Sequence, residues 1–130
     1  MPTEIEQIIK LAKARNELNL ASFSELLCDN IIYEAQTIAK PISGKSELID
    51  YFRHRFDFIN SFDASIDRGS FELATIDTPT KLGRLCLAYL LKGEIEAVWL
   101  PTFDKNSRIA RIDIITISPD PKSAILIHVN

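Results

Sequence analysis

The stretch LLCDNIIYEA, Leu26 to Ala35, decides how the rest of the chain is read. Upstream, Leu20, Phe23, Leu26 and Leu27 in LASFSELL recur at three- and four-residue spacing, the mark of a short amphipathic helix ending near Asp29 and Asn30. Downstream, the β-branched and aromatic content of NIIYEAQTIA reads as a strand. Side chains alternate along a strand, so Tyr33 and Ala35 share one face and Glu34 takes the other. The direction of Glu34 separates two readings of the chain. Facing a pocket it is a candidate acid or base, and facing out it is a solvated carboxylate.

Working outward, Ile5, Ile8, Ile9, Leu11 and Ala12 form the apolar side of a first helix reaching about Asn16, with Thr3 as its cap and Gln7 near the reciprocal capping position. Pro41 and Gly44 break the chain before KSELIDYFRHRFDFI. There Ser46 can cap a third helix that buries Leu48, Ile49, Phe52, Phe56 and Ile59. After Asn60 the apolar period changes to two. SFELATI, GRLCLAYLLK, EIEAVWLPTFD and RIARIDIITIS read as consecutive strands, separated by turns at Asp77 to Thr80, Lys92 to Glu94 and Asp104 to Ser107. A short last strand, AILIHV, would carry His128. Three helices followed by a mainly antiparallel sheet make an α+β domain. Helices cover one sheet face, yet several strands are apolar on both. Cys86, Ala88, Val98, Leu100, Ile115 and Ile117 on the second face therefore predict a homodimer that buries them.

The chain has 130 residues, enough for one domain with one core. A net charge of −3 and a pI near 5.4 give no footprint for nucleic acid. The N-terminal residues form neither a signal peptide nor a membrane span, so the expectation is a cytoplasmic protein with no membrane partner. Cys28 and Cys86 lack metal-ligand spacing and an activating neighbour, so both read as small buried hydrophobes. No His, Asp and Glu cluster suggests a metal, and no cofactor is expected.

Several of these residues carry a family resemblance: the short helix ending in Asp29 and Asn30, the strand IIYEA, a Pro and Gly loop, GKSELIDYF, and a meander closing on FDKNSRIARIDII. In this order they resemble the nuclear transport factor 2-like superfamily, in its SnoaL-like and ketosteroid isomerase-like branch. The resemblance runs from Ile8 to about Ser118. It implies a curved sheet wrapped around the long helix as a cone, an apolar cavity at the open end, and dimerisation through the outer sheet face. The isomerase pattern, carried over residue by residue, puts the general-base position on Ala35, the oxyanion-hole tyrosine near Leu11 and the protonated aspartate at Trp99. None of the three can do that chemistry.

With strand alternation, the implied cavity is lined by Tyr33, Ala35, Tyr51, Phe52, Leu87, Tyr89, Trp99, Pro101, Ile112, Ile114 and Thr116. Such a chamber, apolar with a few hydroxyl and indole handles, suits a small apolar or aromatic molecule. Pro101 cannot donate to a ladder and marks a bulge or free edge at the rim. His54 and Arg55 lie three and four residues after Tyr51, within reach of the mouth. The candidate acid–base groups for an isomerase, cyclase or dehydratase are His54 and Glu34, with Tyr33, Tyr51 or Tyr89 orienting the substrate. A third reading is a protein-association module whose cavity is filled by Trp99 and Phe52. Arg111 and Asp113, opposite Ile112 and Ile114, read as surface or interface charges.

Overall fold

A computed structural model describes residues 2–63 and 65–128. Three helices, α1 (Glu4–Asn16), α2 (Leu20–Glu25) and α3 (Lys45–Asn60), accompany seven strands: β1 (Leu27–Ala35), β2 (Ile42–Ser43), β3 (Ser70–Thr78), β4 (Lys81–Leu91), β5 (Glu94–Phe103), β6 (Ile109–Ile115) and β7 (Ile125–Leu126). They form one curved, unclosed sheet in the order β2-β1-β6-β5-β4-β3-β7, an α+β cone. The expected antiparallel meander runs from β3 to β6, but β1 lies parallel to β6. Parallel neighbours need a long crossover, and α3 with the first three meander strands supplies it. Register shifts at Tyr89/Leu90 and Thr102/Phe103 bend the sheet around its helices. Both edges are strands of two residues, β2 beside Ile32 and Tyr33 and β7 beside Ala74 and Thr75.

Local chemistry sets the helix ends. Thr3 Oγ1 accepts from the Glu6 amide at 3.1 Å, the expected cap of α1. The buried side of α1 is Gln7, Ile8, Leu11, Ala14 and Arg15, whereas Ile5 and Ile9 are 44% and 39% exposed. Side-chain amides pin both halves of that helix. Gln7 Nε2 donates to the Ser107 carbonyl at 2.8 Å, and Asn16 takes both backbone bonds of Phe71, at 2.7 and 3.0 Å. Residues 27–30 are strand rather than helix: α2 ends at Glu25, and the Leu26 carbonyl already accepts from the Ile109 amide of β6 at 2.8 Å. Ser46 does not cap α3. Gly44 does so by backbone alone, at a φ of 95° that favours glycine.

The two sheet faces have different covers. Helices pack on the inner face, over Tyr33, Phe71, Leu87, Trp99 and Ile112. On the outer face Ala74, Ile76, Cys86, Ala88, Val98, Leu100 and Ile115 form a second buried cluster that also takes in Ala124. The chain itself provides this cover, through a single 3₁₀ turn at Pro121–Ser123 and β7, which pairs with β3. This corrects the argument for a dimer. Cys86, Ala88, Val98, Leu100 and Ile115 are already buried within one chain, and of the six residues expected at an interface only Ile117, 69% exposed, is open. The expected last strand is shorter than read, with His128 exposed beyond it and Val129 outside the described residues. Among the described residues no helix is long and apolar enough to cross a membrane.

Candidate functional site

The open end of the cone holds a cavity of about 620 Å³, walled by α1, α3, β1, the ends of β3 to β6 and the segment from Asp67 to Gly69. Tyr33, Ala35, Tyr51, Phe52, Tyr89, Trp99, Ile114 and Thr116 line it. Leu87, Ile112 and Pro101 do not. Leu87 and Ile112 share the inner face but lie fully buried in the core, because alternation fixes a side chain's face and not its depth. Pro101 is buried opposite Ile112 rather than at the rim. Its missing N–H costs nothing on the β4 side, where the β4–β5 ladder ends at the Leu87 and Trp99 pair.

The wall is a network of rings. Tyr33 meets Phe52 edge-on at 5.4 Å and Trp99 at 6.1 Å, and Phe71 meets Trp99 at 5.3 Å. Burial pushes the Tyr33 phenol well above its ordinary pKa, with the Tyr51 phenol adding to the shift and Arg15 and Arg55 opposing it. The phenol is neutral and a donor at physiological pH. The Tyr89 hydroxyl donates to the Arg68 carbonyl at 2.9 Å, fixing the segment at the mouth. Gly69 follows at φ 70°, where a Cβ would sit 2.4 Å from the Leu90 carbonyl oxygen and 2.7 Å from the Tyr89 ring. Any side chain there would push the mouth open.

Arg15 is the residue that the sequence reading missed. Its side chain lines the cavity but is only 8% exposed. The guanidinium carbon lies 4.6 Å from the ring centre of Phe71, 5.0 Å from Phe56, 5.1 Å from Trp99 and 5.5 Å from Phe52. Ring faces offset part of the cost of burying the cation. They do not replace acceptors: Nε and Nη1 are sealed from solvent with no hydrogen-bond partner among the described residues. Desolvation lowers the Arg15 pKa to about 10, with the Tyr33 phenol acting in the opposite sense, so the group stays charged at neutral pH. The signal was present in the sequence. Arg15 stands four residues after Leu11 and seven after Ile8, on the buried stripe of α1.

Charged residues ring the mouth. Arg55, Arg68, Asp67 and Glu96 all reach the lining. Asp67 is already engaged, accepting from the Gly69 amide at 2.8 Å and the Lys92 amide at 3.3 Å. Glu96 falls at the register shift of β5, where the bulge turns it to the rim.

Neither candidate acid–base residue enters the cavity. Glu34 points to the opposite side of β1 and pairs with Arg111, whose Nε also donates to both Asp113 oxygens at 3.1 Å. This carboxylate belongs to an ionic trio on the outer side of β1 and β6. His54 is exposed on α3, its Nδ1 2.8 Å from the Asp50 carbonyl one turn earlier, and Arg55 takes the place at the mouth. The cysteines are also remote from reactivity. Cys28 donates to Asp104 at 3.0 Å, and burial with that contact pushes its pKa up to about 11; burial alone takes Cys86 up to about 12.

No family model matches this sequence, and no curated protein resembles it closely enough to count as a relative. Solved structures do match. A SnoaL-like protein of unknown function from Burkholderia thailandensis superposes with a TM-score of 0.66 at 16% identity, over 88% of this chain and 94% of that one. An NTF2-like protein of unknown function from Cytophaga hutchinsonii gives 0.57 at 14%, over 90% and 92%. A steroid delta-isomerase from Pseudomonas aeruginosa gives 0.56 at 12%, over 86% and 77%. The chain shares the nuclear transport factor 2-like fold of these structures.

Proposed function

We propose that the protein binds a small, largely apolar molecule in the cone cavity. One observation carries this reading: Phe52 and Trp99, large enough to plug the cone, stand in the wall of a 620 Å³ space instead of filling it. A volume of that size, walled mainly by aromatic and aliphatic side chains with a few polar groups, is typical of small-molecule sites. No reaction is assigned. The positions that would match the isomerase base and oxyanion hole hold Ala35, Leu11 and Trp99, and Glu34 and His54 lie outside the lining. A fold shared with an isomerase does not transfer its chemistry.

The test is calorimetric titration of the full chain with neutral aromatic compounds such as 2-naphthol, set beside two variants. Tyr33→Phe deletes one hydroxyl and keeps the ring, so the expected change in affinity is about threefold or less. Trp99→Leu removes a wall and should weaken binding about tenfold or more. Trp99→Leu binding as tightly as the parent protein would move the site elsewhere.

A further inference from the structure

We propose that the natural ligand is a small carboxylate with an apolar or aromatic body, its carboxylate group engaging the guanidinium of Arg15. The inference rests on the binding reading above and narrows its ligand class.

An arginine this buried usually has a carboxylate or several carbonyls for company, because an unpaired charge in a low-dielectric site is costly. Arg15 has four ring faces instead, and its Nε and Nη1 have no acceptor among the described residues. Ring faces attract the charge but accept no conventional hydrogen bond from its N–H groups. That requirement is unmet, and Arg15 is part of the cavity lining. Nη2 is the one guanidinium nitrogen that is not sealed, and a ligand oxygen arriving through the mouth meets the cation there.

Charge around the cavity points the same way. On a chain of net charge −3, the lining carries three arginines, Arg15, Arg55 and Arg68, against two carboxylates, Asp67 and Glu96. Of those two, Asp67 is held in place by backbone amides. The exposed arginines at the mouth steer an anion inward, and the buried one receives it. A carboxylate fits better than a phosphate. Its oxygen can take a charge-assisted hydrogen bond from Nη2, and its single charge balances a single buried cation. A phosphate dianion would bring further oxygens to a wall made mostly of rings. Those rings, Trp99, Phe52 and Tyr33 foremost, suit a flat apolar body attached to the acid.

The experiment is calorimetric titration of the full chain with three acid and amide pairs: benzoate and benzamide, 2-naphthoate and 2-naphthamide, hexanoate and hexanamide. Each pair keeps the shape and changes the charge. The expected result is that at least one acid binds about tenfold or more tightly than its amide. In Arg15→Met that preference should fall to about twofold or less, with amide affinity retained. Near-UV circular dichroism of the single tryptophan, Trp99, checks that the variant is folded. Should Arg15→Met fail to fold, the wild-type acid and amide comparison together with Arg15→Lys decides, since lysine keeps the charge but not the guanidinium geometry and should retain only part of the preference. Acids and amides binding equally well would overturn the role of Arg15 and leave the cavity reading standing. A preference that survives intact in Arg15→Met would also overturn it and move the selectivity to Arg55 and Arg68. No binding by any of the six compounds would overturn both readings.

Discussion

The two faces of the sheet are written in the same apolar alternation and end differently. On the outer face the residues are mostly small or of middle size, Ala74, Cys86, Ala88 and Val98, and the chain's own segment around Pro121 to Leu126 lies flat on them. Of the apolar residues expected on this face, only Ile117 is left open. On the inner face the residues are Tyr33, Phe71, Tyr89 and Trp99, and the helices that cover them close only the narrow end. Large rigid rings hold one another apart as effectively as they pack, so a void survives where the small outer residues allow none. Hydrophobic alternation alone therefore says that a face is buried. It does not say whether the cover is a helix, a terminal segment, a second subunit or a ligand.

Substitutions on the two faces test this contrast, and the largest effect falls on the outer one. Leu100 is 4% exposed within one chain. Leu100→Asp should cost about 5 kcal/mol and unfold the protein in a urea titration, since a carboxylate there has neither partner nor water. A folded monomer in sedimentation would mean instead that this face serves only an interface between subunits. Phe52→Ala, at the centre of the inner rings, should cost about 3–5 kcal/mol. Soaking small apolar compounds into Phe52→Ala should partly restore its melting temperature, because the enlarged void joins the existing cavity. Gly69→Ala should cost about 2 kcal/mol through its positive φ and its contact with the Leu90 carbonyl, and it should loosen the mouth by displacing Tyr89.

Arg15→Met should move stability the other way or leave it unchanged, by about 1 kcal/mol at most, since methionine fills the same space without a buried charge. The pH dependence has the same sign. With its folded pKa lowered to about 10, well below the ordinary arginine value, the folded state holds this proton less tightly than the unfolded chain does. The cost is fully present below pH 10 and is relieved as pH rises from there toward the ordinary arginine value. A thermal melt near neutral pH therefore compares parent and variant where the cost is greatest. A loss well beyond 2 kcal/mol in Arg15→Met would show that the four rings hold the cation for the sake of the fold. The smallest expected effect belongs to Glu34→Gln, within about 0.5 kcal/mol and with ligand affinity unchanged, as befits a half-exposed ion pair.

Much of the fold was legible in the sequence. The change of period after Asn60 located β3 to β6 and their turns, and alternation put Tyr33 and Ala35 on one side of β1 and Glu34 on the other. What escaped were properties set by tertiary contacts. Residues 27–30 carry helical spacing, but pairing with β6 draws them into the sheet. Depth along the cone, which separates Trp99 and Ile114 from Leu87 and Ile112, has no period to read. The cover over the outer face comes from a two-residue strand and a single turn, too short to carry a pattern. Arg15 was hidden for a different reason. A charged residue on an apolar stripe reads as an irregularity until its surroundings are seen, and here those surroundings are the site.

The most direct test of the contrast between the faces is a two-dimensional amide NMR titration of the full chain with neutral 2-naphthol, read at both faces in one spectrum. The account predicts saturable shifts at the Trp99 indole N–H and at the amides of Tyr33, Ala35 and Ile114, with Ala74, Ala88, Val98 and Leu100 shifting far less. Shifts concentrated on the outer set, or saturable shifts on neither, would contradict it.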